Sequence, residues 1–296
     1  MNQTAGLNRV TTPRRSWLNI SVLGAVHTMG AVAVLYLCFV HFSWWTMGFG
    51  VFWLLSGILA IGAGYHRLFA HGAYRARAPL RLLYLAFGAA AVQNSALKWS
   101  SDHRLHHTAT DDERDPYNIQ KGFWWAHVGW VLHQDAEGPD TERVKDLATD
   151  PLVLWQERHY VKIALVMALL VPAAIGSIWG DALGAVLVAG FLRLVVQWHC
   201  TFSINSIAHM IGTRPYCTKT SARDSIVTAL VSLGEGYHNF HHRFQTDYRN
   251  GVRWFHFDPT KWFVWTMSKV RLASDLRRVP RKVIEQARRS VEMGQA

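Results

Sequence analysis

The chain has 296 residues, of which 50% are hydrophobic and 14 are tryptophan, and its formal net charge is +11 at pH 7. This composition excludes an acidic or disordered chain, and without a nucleic-acid-binding motif the basic balance does not indicate a nucleic-acid partner. The cysteines at positions 38, 200 and 217 form no close-spaced pair, which excludes a disulfide framework and an iron–sulfur module. We interpret residues 1–296 as one domain.

Four apolar runs dominate the sequence. They cover residues 17–40, 42–65, 163–180 and 182–202. The first two contain no Asp, Glu, Lys or Arg, and each exceeds the roughly 20 residues needed to cross a bilayer. Arg193 interrupts the fourth run and should face protein or a cavity, because a charge at bilayer depth is costly. The pattern predicts an all-α integral membrane protein with four transmembrane helices in two hairpins, residues 17–65 and 161–203.

Histidines are concentrated in four short stretches of the chain, HRLFAH, HRLHH, NSIAH and HNFHH. The offsets of three and four in HRLHH and HNFHH place the imidazoles on one face of a helix. Imidazole is the commonest neutral metal ligand, so this spacing predicts a metal site. The histidines concerned are nine of the sixteen in the chain: His66, His71, His103, His106, His107, His209, His238, His241 and His242.

A fifth apolar run, residues 82–97, is too short to assign by length alone, and its end carries Gln93 and Asn94. If this run crossed the membrane, HRLFAH and HRLHH would lie on opposite sides of a core about 30 Å thick. One metal centre cannot draw ligands from both sides. We therefore predict a buried or interfacial helix that does not cross.

The distribution of basic residues predicts the orientation. The short connections at 41–44 and 178–183 contain no Lys or Arg, whereas residues 1–16, 66–160 and 204–296 carry nearly all of them. By the positive-inside rule, both termini and all four histidine stretches are cytoplasmic, and the two long segments form a helical cytoplasmic cap. Since most of the basic residues are arginine, we expect a bacterial inner membrane as the location.

Nine histidines exceed the four ligands of one tetrahedral zinc ion and suit two ions with four or five nitrogens each. No HExxH motif occurs, so the motif of a membrane zinc protease is missing. Imidazole suits Fe, Cu, Ni and Zn alike. The histidines follow apolar helices, which indicates a lipid chain as substrate, and redox iron with dioxygen is the chemistry that attacks an unactivated alkyl carbon.

The histidine stretches resemble those of membrane fatty-acyl desaturases of the stearoyl-CoA (delta-9) type. HRLFAH, HRLHH and HNFHH match the three histidine boxes of that family, and their context matches in GAGYHRLFAH, QNSALKWSSDHRLHH, GFWWAHVGW, NSIAH and GEGYHNFHH. The resemblance covers roughly residues 45–280. It implies a histidine-coordinated di-iron centre, in which zinc could replace iron in overexpressed protein. It also implies conversion of a saturated acyl chain to a cis-alkene with dioxygen and two electrons.

The resemblance further implies roles for individual residues. The nine histidines become iron ligands, and Asn205 matches an asparagine that holds an iron-bound water. Trp99 and Thr201 match the pair that fixes the kink in the substrate tunnel. Gln93 and Asn94 match polar residues that line the mouth and the bend of that tunnel.

Two further sets of residues are expected near the site. Leu54 and Ile58 lie two to three turns before His66 on the second span, where they would form the tunnel floor. Neutral imidazoles also need acceptors that fix their tautomers. The candidates are the acidic residues beside the boxes, for which a helix-cap or surface role is the alternative: Asp102, Asp115, Glu235 and Asp247.

The sequence departs from the animal enzymes near the second box. Ser101 stands where those enzymes carry an arginine that resembles a CoA contact, and Lys98 replaces an acidic residue. We therefore expect a fatty-acyl thioester whose carrier is CoA or acyl carrier protein, with a phospholipid as the alternative. No fused cytochrome domain is recognisable, so we expect a separate electron donor of ferredoxin, rubredoxin or cytochrome type, attracted by the basic cap.

Other functions compatible with these motifs stay open at this point. Related histidine-box enzymes hydroxylate alkanes or acyl chains, or form triple bonds. A membrane metal transporter or a b-type haem protein is the non-enzymatic alternative, but such proteins need polar ligands at bilayer depth. Here the histidines lie at helix ends and in the cap, which favours desaturation.

Overall fold

The computed structural model describes residues 14–133 and 138–295, and this part of the chain is almost entirely helical. In chain order the main helices are α1 (Trp17–Phe39), α2 (Trp44–Ala70), α3 (Ala78–Ala90), α4 (Ala96–Ala109), α5 (Trp125–Gly129, continued by Trp130–Leu132), α6 (Pro151–Trp179), α7 (Ala182–Met210), α8 (Ile226–Val231), α9 (His238–Arg243), α10 (Pro259–Lys269) and α11 (Arg281–Glu292). Two short strands, β1 (Arg75–Ala76) and β2 (Ala273–Ser274), pair antiparallel. The predicted all-α fold class is confirmed.

Four of these helices, α1, α2, α6 and α7, are long and apolar enough to cross a membrane, which confirms the predicted number. The tight turns between α1 and α2 and between α6 and α7 lie side by side. Asp181 caps α7 by accepting a hydrogen bond from Gly184 N at 2.9 Å, and it also accepts from Thr46 Oγ1 at 2.5 Å and Tyr36 OH at 2.8 Å. One buried carboxylate therefore ties the two predicted hairpins together.

The spanning helices continue beyond the boundaries expected from the sequence. α2 runs to Ala70 instead of ending at residue 65, α6 begins at Pro151, and α7 ends at Met210. Charged residues such as Glu157 and Arg158 end an apolar run, but they do not end a helix. The spanning helices therefore extend beyond their apolar runs, at the end of α2 and α7 and at the start of α6.

The apolar run at residues 82–97 contains no helix as long as the four candidate spans, and it is not one helix. α3 ends at Ala90, and the chain then turns through Val92 and Asn94, both with positive φ (52° and 71°). Ser95 starts α4 by accepting a hydrogen bond from Lys98 N at 3.2 Å. α3 lies close against α2, since a Cβ atom at Gly88 would come within 2.2 Å of the Tyr65 ring.

The charge inside the fourth span faces protein, as predicted. Arg193 is 3% exposed, and its guanidinium donates to Ala90 O at 2.8 Å, Ala189 O at 2.6 Å and Gln197 Oε1 at 3.0 Å. Because Ala90 ends α3, this contact places the end of α3 at the depth of Arg193, well inside the span α7.

The remaining elements form a cap over one end of the four spans. Asn19 Nδ2 at the start of α1 donates to Val131 O beside α5 at 2.9 Å, which links the first span to the cap. The β1–β2 ladder joins the chain that follows α2 to the chain that follows α10. The last helix, α11, packs Ile284 and Ala287 against Phe240 and Phe244 of the α9 region. The cap therefore supports α9 from outside.

Candidate metal centre

The first histidine stretch depends on an unusual helical turn at the end of α2. His66 and His71 are five residues apart, a spacing that an α-helix does not place on one face. Over Ala60–Ala70 the helix widens so that hydrogen bonds join residues five apart, and His71 N donates to His66 O at 3.1 Å. Such wide turns are rare and are frequent at functional sites. This one turns both imidazoles toward the same region.

The second and third stretches lie on α4 and α9 with identical offsets, as the sequence predicted. α9 is only six residues long, and helices this short are not stable alone. It is held from its sides: Asp224 Oδ1 accepts from Phe240 N at 3.0 Å, and the Phe240 ring is completely buried. Packing therefore fixes the helix that carries three of the imidazoles.

The nine histidines converge into two groups of nitrogens, and within each group the nitrogens lie within 4.8 Å of one another. The first group contains His66, His71, His103, His107 and His241, and the second contains His106, His209, His238 and His242. Successive residues on α4 and α9 supply different groups, and the rings of His107 and His242 are 4.3 Å apart between centroids. The two groups are therefore adjacent, and they contain five and four histidines.

The nitrogen geometry fits metal ions and does not fit hydrogen bonding among the rings. His103 Nε2 lies 2.9 Å from His71 Nε2 and 3.0 Å from His107 Nε2, and His241 Nε2 lies 2.9 Å from both His107 and His66. A ring nitrogen has one hydrogen or one lone pair, so it cannot satisfy two such neighbours. Nitrogens ~2.1 Å from one cation at right angles would lie about 3.0 Å apart. The observed spacing is therefore compatible with one shared cation in each group.

Two buried carboxylates each fix the tautomer of one ring, His66 in the first group and His106 in the second. His66 Nδ1 donates to Glu235 Oε2 at 2.7 Å, and His106 Nδ1 donates to Asp115 Oδ1 at 2.8 Å. With the hydrogen on Nδ1, the Nε2 lone pair of each ring points into its group. Asp115 and Glu235, two of the four acidic residues singled out in the sequence, are therefore each in contact with a histidine of the site.

Glu235 belongs to a buried ion-pair network that the sequence did not indicate. Arg67 Nη2 donates to Glu235 Oε1 at 2.7 Å and to Asp258 Oδ1 at 2.9 Å, and all three side chains are almost completely buried. Burial alone would raise the pKa of Glu235, but Arg67 and His66 outweigh it and lower this pKa to about 2. The carboxylate that accepts from His66 is therefore ionised throughout the neutral range.

Burial also keeps three of the imidazoles on α4 and α9 neutral. It lowers the pKa of His107, His241 and His242 well below the ordinary value, and the neighbouring rings lower it further. A neutral imidazole carries the lone pair that binds a metal, whereas a protonated one does not. The cap therefore presents these histidines in their ligating form.

Three other polar residues take positions that sequence reasoning did not settle or did not find. Asp102 accepts from Lys98 Nζ at 2.8 Å. Asp247 accepts from Val279 N at 2.9 Å and pairs with Arg249, so it supports the loop after α9. Ser221, which the sequence did not single out, contacts His209 Nδ1 through its Oγ at 2.7 Å. Its partner Asp111 accepts from that hydroxyl at 2.5 Å.

An apolar cavity of about 510 Å³ leads to the histidines. Its inner end is lined by His66, His103 and His238, together with Asn205, and its walls come from α1, α2, α6 and α7. Such a cavity is mainly apolar with a few polar groups, as expected of a site for a lipid chain.

The predicted tunnel residues mostly line this cavity. Trp99 stacks on His103 with 4.7 Å between ring centroids, and Gln93 Nε2 donates to Thr201 Oγ1 at 3.1 Å. The backbone N of Asn94 donates to Tyr160 OH at 3.1 Å, and Ile58 also lines the cavity. Among the described residues Leu54, one turn before Ile58, does not line it.

The fold and the site define a four-span membrane protein whose cap holds two adjacent histidine groups, able to bind metal ions, at the end of an apolar cavity. The profile of the family described as "Fatty acid desaturase" matches residues 42–270, which is most of the chain. The chain therefore belongs to the fatty acid desaturase family.

Curated relatives carry consistent names. The chain is 46% identical over 242 residues to a probable acyl-CoA desaturase of Schizosaccharomyces pombe and 44% identical over 241 residues to acyl-CoA desaturase 1 of Saccharomyces cerevisiae. Both alignments cover 81% of this chain but only 50% and 47% of the yeast proteins, so the chain spans about half the length of these relatives. It is also 35% identical to human stearoyl-CoA desaturase, over 90% of this chain and 76% of the human protein.

Proposed function

We propose that the protein is a fatty-acyl desaturase that introduces a cis double bond, of delta-9 type, into a saturated acyl thioester with dioxygen and two electrons. The observation that carries this proposal is the continuity between the apolar cavity and the histidine groups, since His66, His103 and His238 form part of the cavity wall. An acyl chain in this cavity would lie beside both groups. The names of the relatives support the same reaction class.

In this proposal the nine histidines hold two iron ions, with Asn205 reaching one of them through a water. Bound iron supplies the redox chemistry with dioxygen that breaks unactivated C–H bonds, whereas zinc taken up during overexpression would occupy the same nitrogens without that chemistry. Glu235 and Asp115 keep the imidazole lone pairs directed inward. The buried packing around α9 excludes bulk water.

The protein contributes to the reaction by positioning the acyl chain. The contact of Gln93 with Thr201 and the stacking of Trp99 on His103 form rigid polar and aromatic points along an otherwise apolar wall. An acyl chain bound along this wall would have a fixed position, so that the same carbons always lie beside the histidine groups. Ile58 forms part of the wall that would meet the remaining tail of the chain.

The surroundings of Ser101 support CoA as the acyl carrier. The arginine expected at this position by similarity to the animal enzymes is missing, but Arg143 comes from elsewhere in the cap and donates to Ser101 Oγ at 3.3 Å. Arg143 also pairs with Asp140 at 2.9 Å. A guanidinium therefore stands beside Ser101, where it would meet an anionic carrier. Acyl carrier protein is the alternative carrier.

Two electrons would come from a separate ferredoxin, rubredoxin or cytochrome donor, which a basic cap would attract. We further propose that the cap and both termini face the cytoplasm and that the membrane is a bacterial inner membrane. The excess of basic residues in the cap segments supports this orientation. Reporter fusions at each terminus test it, and a periplasmic signal from either one would contradict it.

The decisive experiment is expression of the full chain in a host that lacks delta-9 desaturase activity and receives saturated acyl chains of mixed length. We expect new monounsaturated products, whose double-bond position mass spectrometry identifies. The control is His107→Ala, which should insert into the membrane normally and yield no product. Hydroxylated or acetylenic products would assign the chain to a related reaction, and unaltered acyl chains with metal uptake would support transport instead.

A further inference from the structure

A second cavity lies in the cap, away from the histidines, where the β1–β2 ladder meets the end of α10. Its volume is about 520 Å³. The charged and aromatic residues on its wall are Arg77, Lys269, Arg271, Arg278, Asp275 and Trp265. Neither the proposed reaction nor the histidine site uses any of them.

The wall of this cavity carries uncompensated positive charge. Its one acidic residue, Asp275, pairs with Arg75 outside the cavity at 3.3 Å. Within residues 14–133 and 138–295, no carboxylate lies within 4.0 Å of Arg77, Lys269 or Arg271. Three cations that are not paired with a carboxylate thus border one concave space, whose single carboxylate, Asp275, is paired with Arg75. Such an arrangement attracts an anion.

The depth of the cavity follows from α3, which starts directly after Arg77. The far end of α3 lies at the depth of Arg193 in the span α7, because Ala90 O accepts from that guanidinium. α3 runs beside the start of the span α6, because Arg81 contacts Asp150 and Leu85 O accepts from Gln156 Nε2 at 2.9 Å. Its thirteen residues cover ~20 Å, while half of a bilayer core is about 15 Å. Arg77 therefore lies close to the boundary between hydrocarbon and headgroups, on the side of the cap.

Exposed apolar side chains beside the cavity agree with this depth. Leu82 and Leu83 on α3 are 40% and 45% exposed, and Trp262 and Trp265 on α10 are 42% and 46% exposed. Tryptophan next to lysine or arginine is typical of membrane interfaces. Lys269 Nζ lies 5.0 Å from the centre of the Trp265 ring, at the edge of the cavity.

We propose that this cavity, which we name the boundary pocket, binds the phosphate of an anionic phospholipid headgroup from the leaflet on the side of the cap. Arg77, Lys269 and Arg271 would contact the phosphate, and Trp265 would lie against the start of the acyl chains. The exposed leucines of α3 continue the path of those chains into the hydrocarbon. A bound headgroup would bridge β2, α10 and Arg77, the residue that follows β1, since all three border the pocket.

The test measures lipid binding to the full chain by native mass spectrometry in detergent. Dioctanoyl phosphatidylglycerol, dioctanoyl phosphatidylcholine and inorganic phosphate are titrated separately. We expect saturable binding of phosphatidylglycerol, and no saturable binding of phosphatidylcholine or inorganic phosphate. Lys269→Gln with Arg271→Gln should weaken phosphatidylglycerol binding by about twenty-five-fold, at roughly a factor of five for each cation near the surface. The charge-preserving pair Lys269→Arg with Arg271→Lys should bind as the parent does.

The matched control removes two charges from the other basic helix of the cap, by Arg288→Gln with Arg289→Gln on α11, and should leave binding unchanged. Equal loss in this control would show that only the overall charge of the cap acts, and the proposal would fail. Equal binding of phosphatidylcholine, or full competition by millimolar inorganic phosphate, would also overturn it. The readout does not involve acyl-chain chemistry, so it stands independently of the proposed function.

Discussion

Replacing the carboxylate behind His106 should weaken metal binding without removing any ligand. Asp115 is 2% exposed, and its Oδ1 accepts from both His106 Nδ1 at 2.8 Å and Tyr117 N at 3.0 Å, while its Oδ2 accepts from Asp111 N at 3.0 Å. In Asp115→Asn the amide oxygen can keep the contacts of Oδ1. Its NH2 group then faces the Asp111 N–H, so that two donors oppose each other in a buried space.

The expected size of the effect follows from these contacts. Loss of an outer carboxylate behind a ligating histidine typically costs 10–100-fold in metal affinity, or about 1.4–2.8 kcal/mol. The opposed donors should lower the stability of the metal-free protein by a further 1–3 kcal/mol or so. Both values are moderate, so the variant should fold and insert.

The assay compares iron(II) affinity by anaerobic chelator competition with the thermal unfolding of the metal-free protein. Asp112→Asn is the matched control, because Asp112 lies on the same turn, is exposed and pairs with Arg114 at 3.2 Å. We expect this control to behave as the parent does. If Asp115→Asn and Asp112→Asn bound iron equally well, Asp115 would not act on the metal site, and the tautomer argument for His106 would be wrong.

Three further predictions follow from buried contacts. Ile58→Ala should shift the preferred acyl chain length upward by about two carbons, since it removes three side-chain carbons from the cavity wall. Leu54→Ala is the control and should leave the preferred length unchanged. Equal changes in the product chain lengths of the two variants would refute this prediction. Arg193→Ala should lower stability in detergent by about 2–3 kcal/mol because three buried acceptors lose their donor, and exposed Lys162→Ala should have no effect on the unfolding midpoint. The pKa of Glu235 is about 2 in the folded protein against 4.5 in the unfolded chain, so its contribution to the free energy of unfolding, at most about 3 kcal/mol, is lost as the pH falls from 4.5 to 2. Glu235→Gln should therefore reduce the loss of stability of the metal-free protein over this pH range. An unchanged dependence of the unfolding free energy on pH would contradict the prediction.

Much of the site could be predicted from the sequence because helical offsets fix direction locally. His103, His106 and His107 share a face of any α-helix, and the same holds for the triplet on α9. The division into two groups also followed from the number of nitrogens. What local offsets do not state is which ring joins which group, since that depends on how α4 and α9 face each other.

The first histidine stretch shows a limit of periodicity. Positions 66 and 71 would diverge on a regular α-helix, so their convergence required the wide turn over Ala60–Ala70. Nothing in AIGAGYHRLFA demands such a turn by propensity alone. The close packing of α3 against Tyr65, which Gly88 permits, belongs to the tertiary structure and favours the turn only in the folded chain.

Nearness in sequence was a partial guide to the groups behind the ligands. Asp115 and Glu235 lie near the histidine stretches in sequence and do contact histidines of the site. Asp247 lies only five residues after His242, but it pairs with Arg249 instead. Ser221, by contrast, lies twelve residues from His209 across an irregular loop and still contacts its ring. Loops reverse direction within a few residues, so sequence separation does not decide contact there.

The buried charges explain how the site can exist before any ion binds. Arg67 neutralises one of the two carboxylates it contacts, Glu235 and Asp258, which would otherwise repel each other in a low-dielectric interior. Together with Asp115, three carboxylates therefore stand against one guanidinium behind the histidines, and this excess of negative groups favours cations there. Because the acceptors of His66 and His106 are held by the fold and not by an ion, the lone pairs point inward in the metal-free chain. Metal binding then requires little reorganisation, and for that reason a substitution in this network should act on affinity more than on fold.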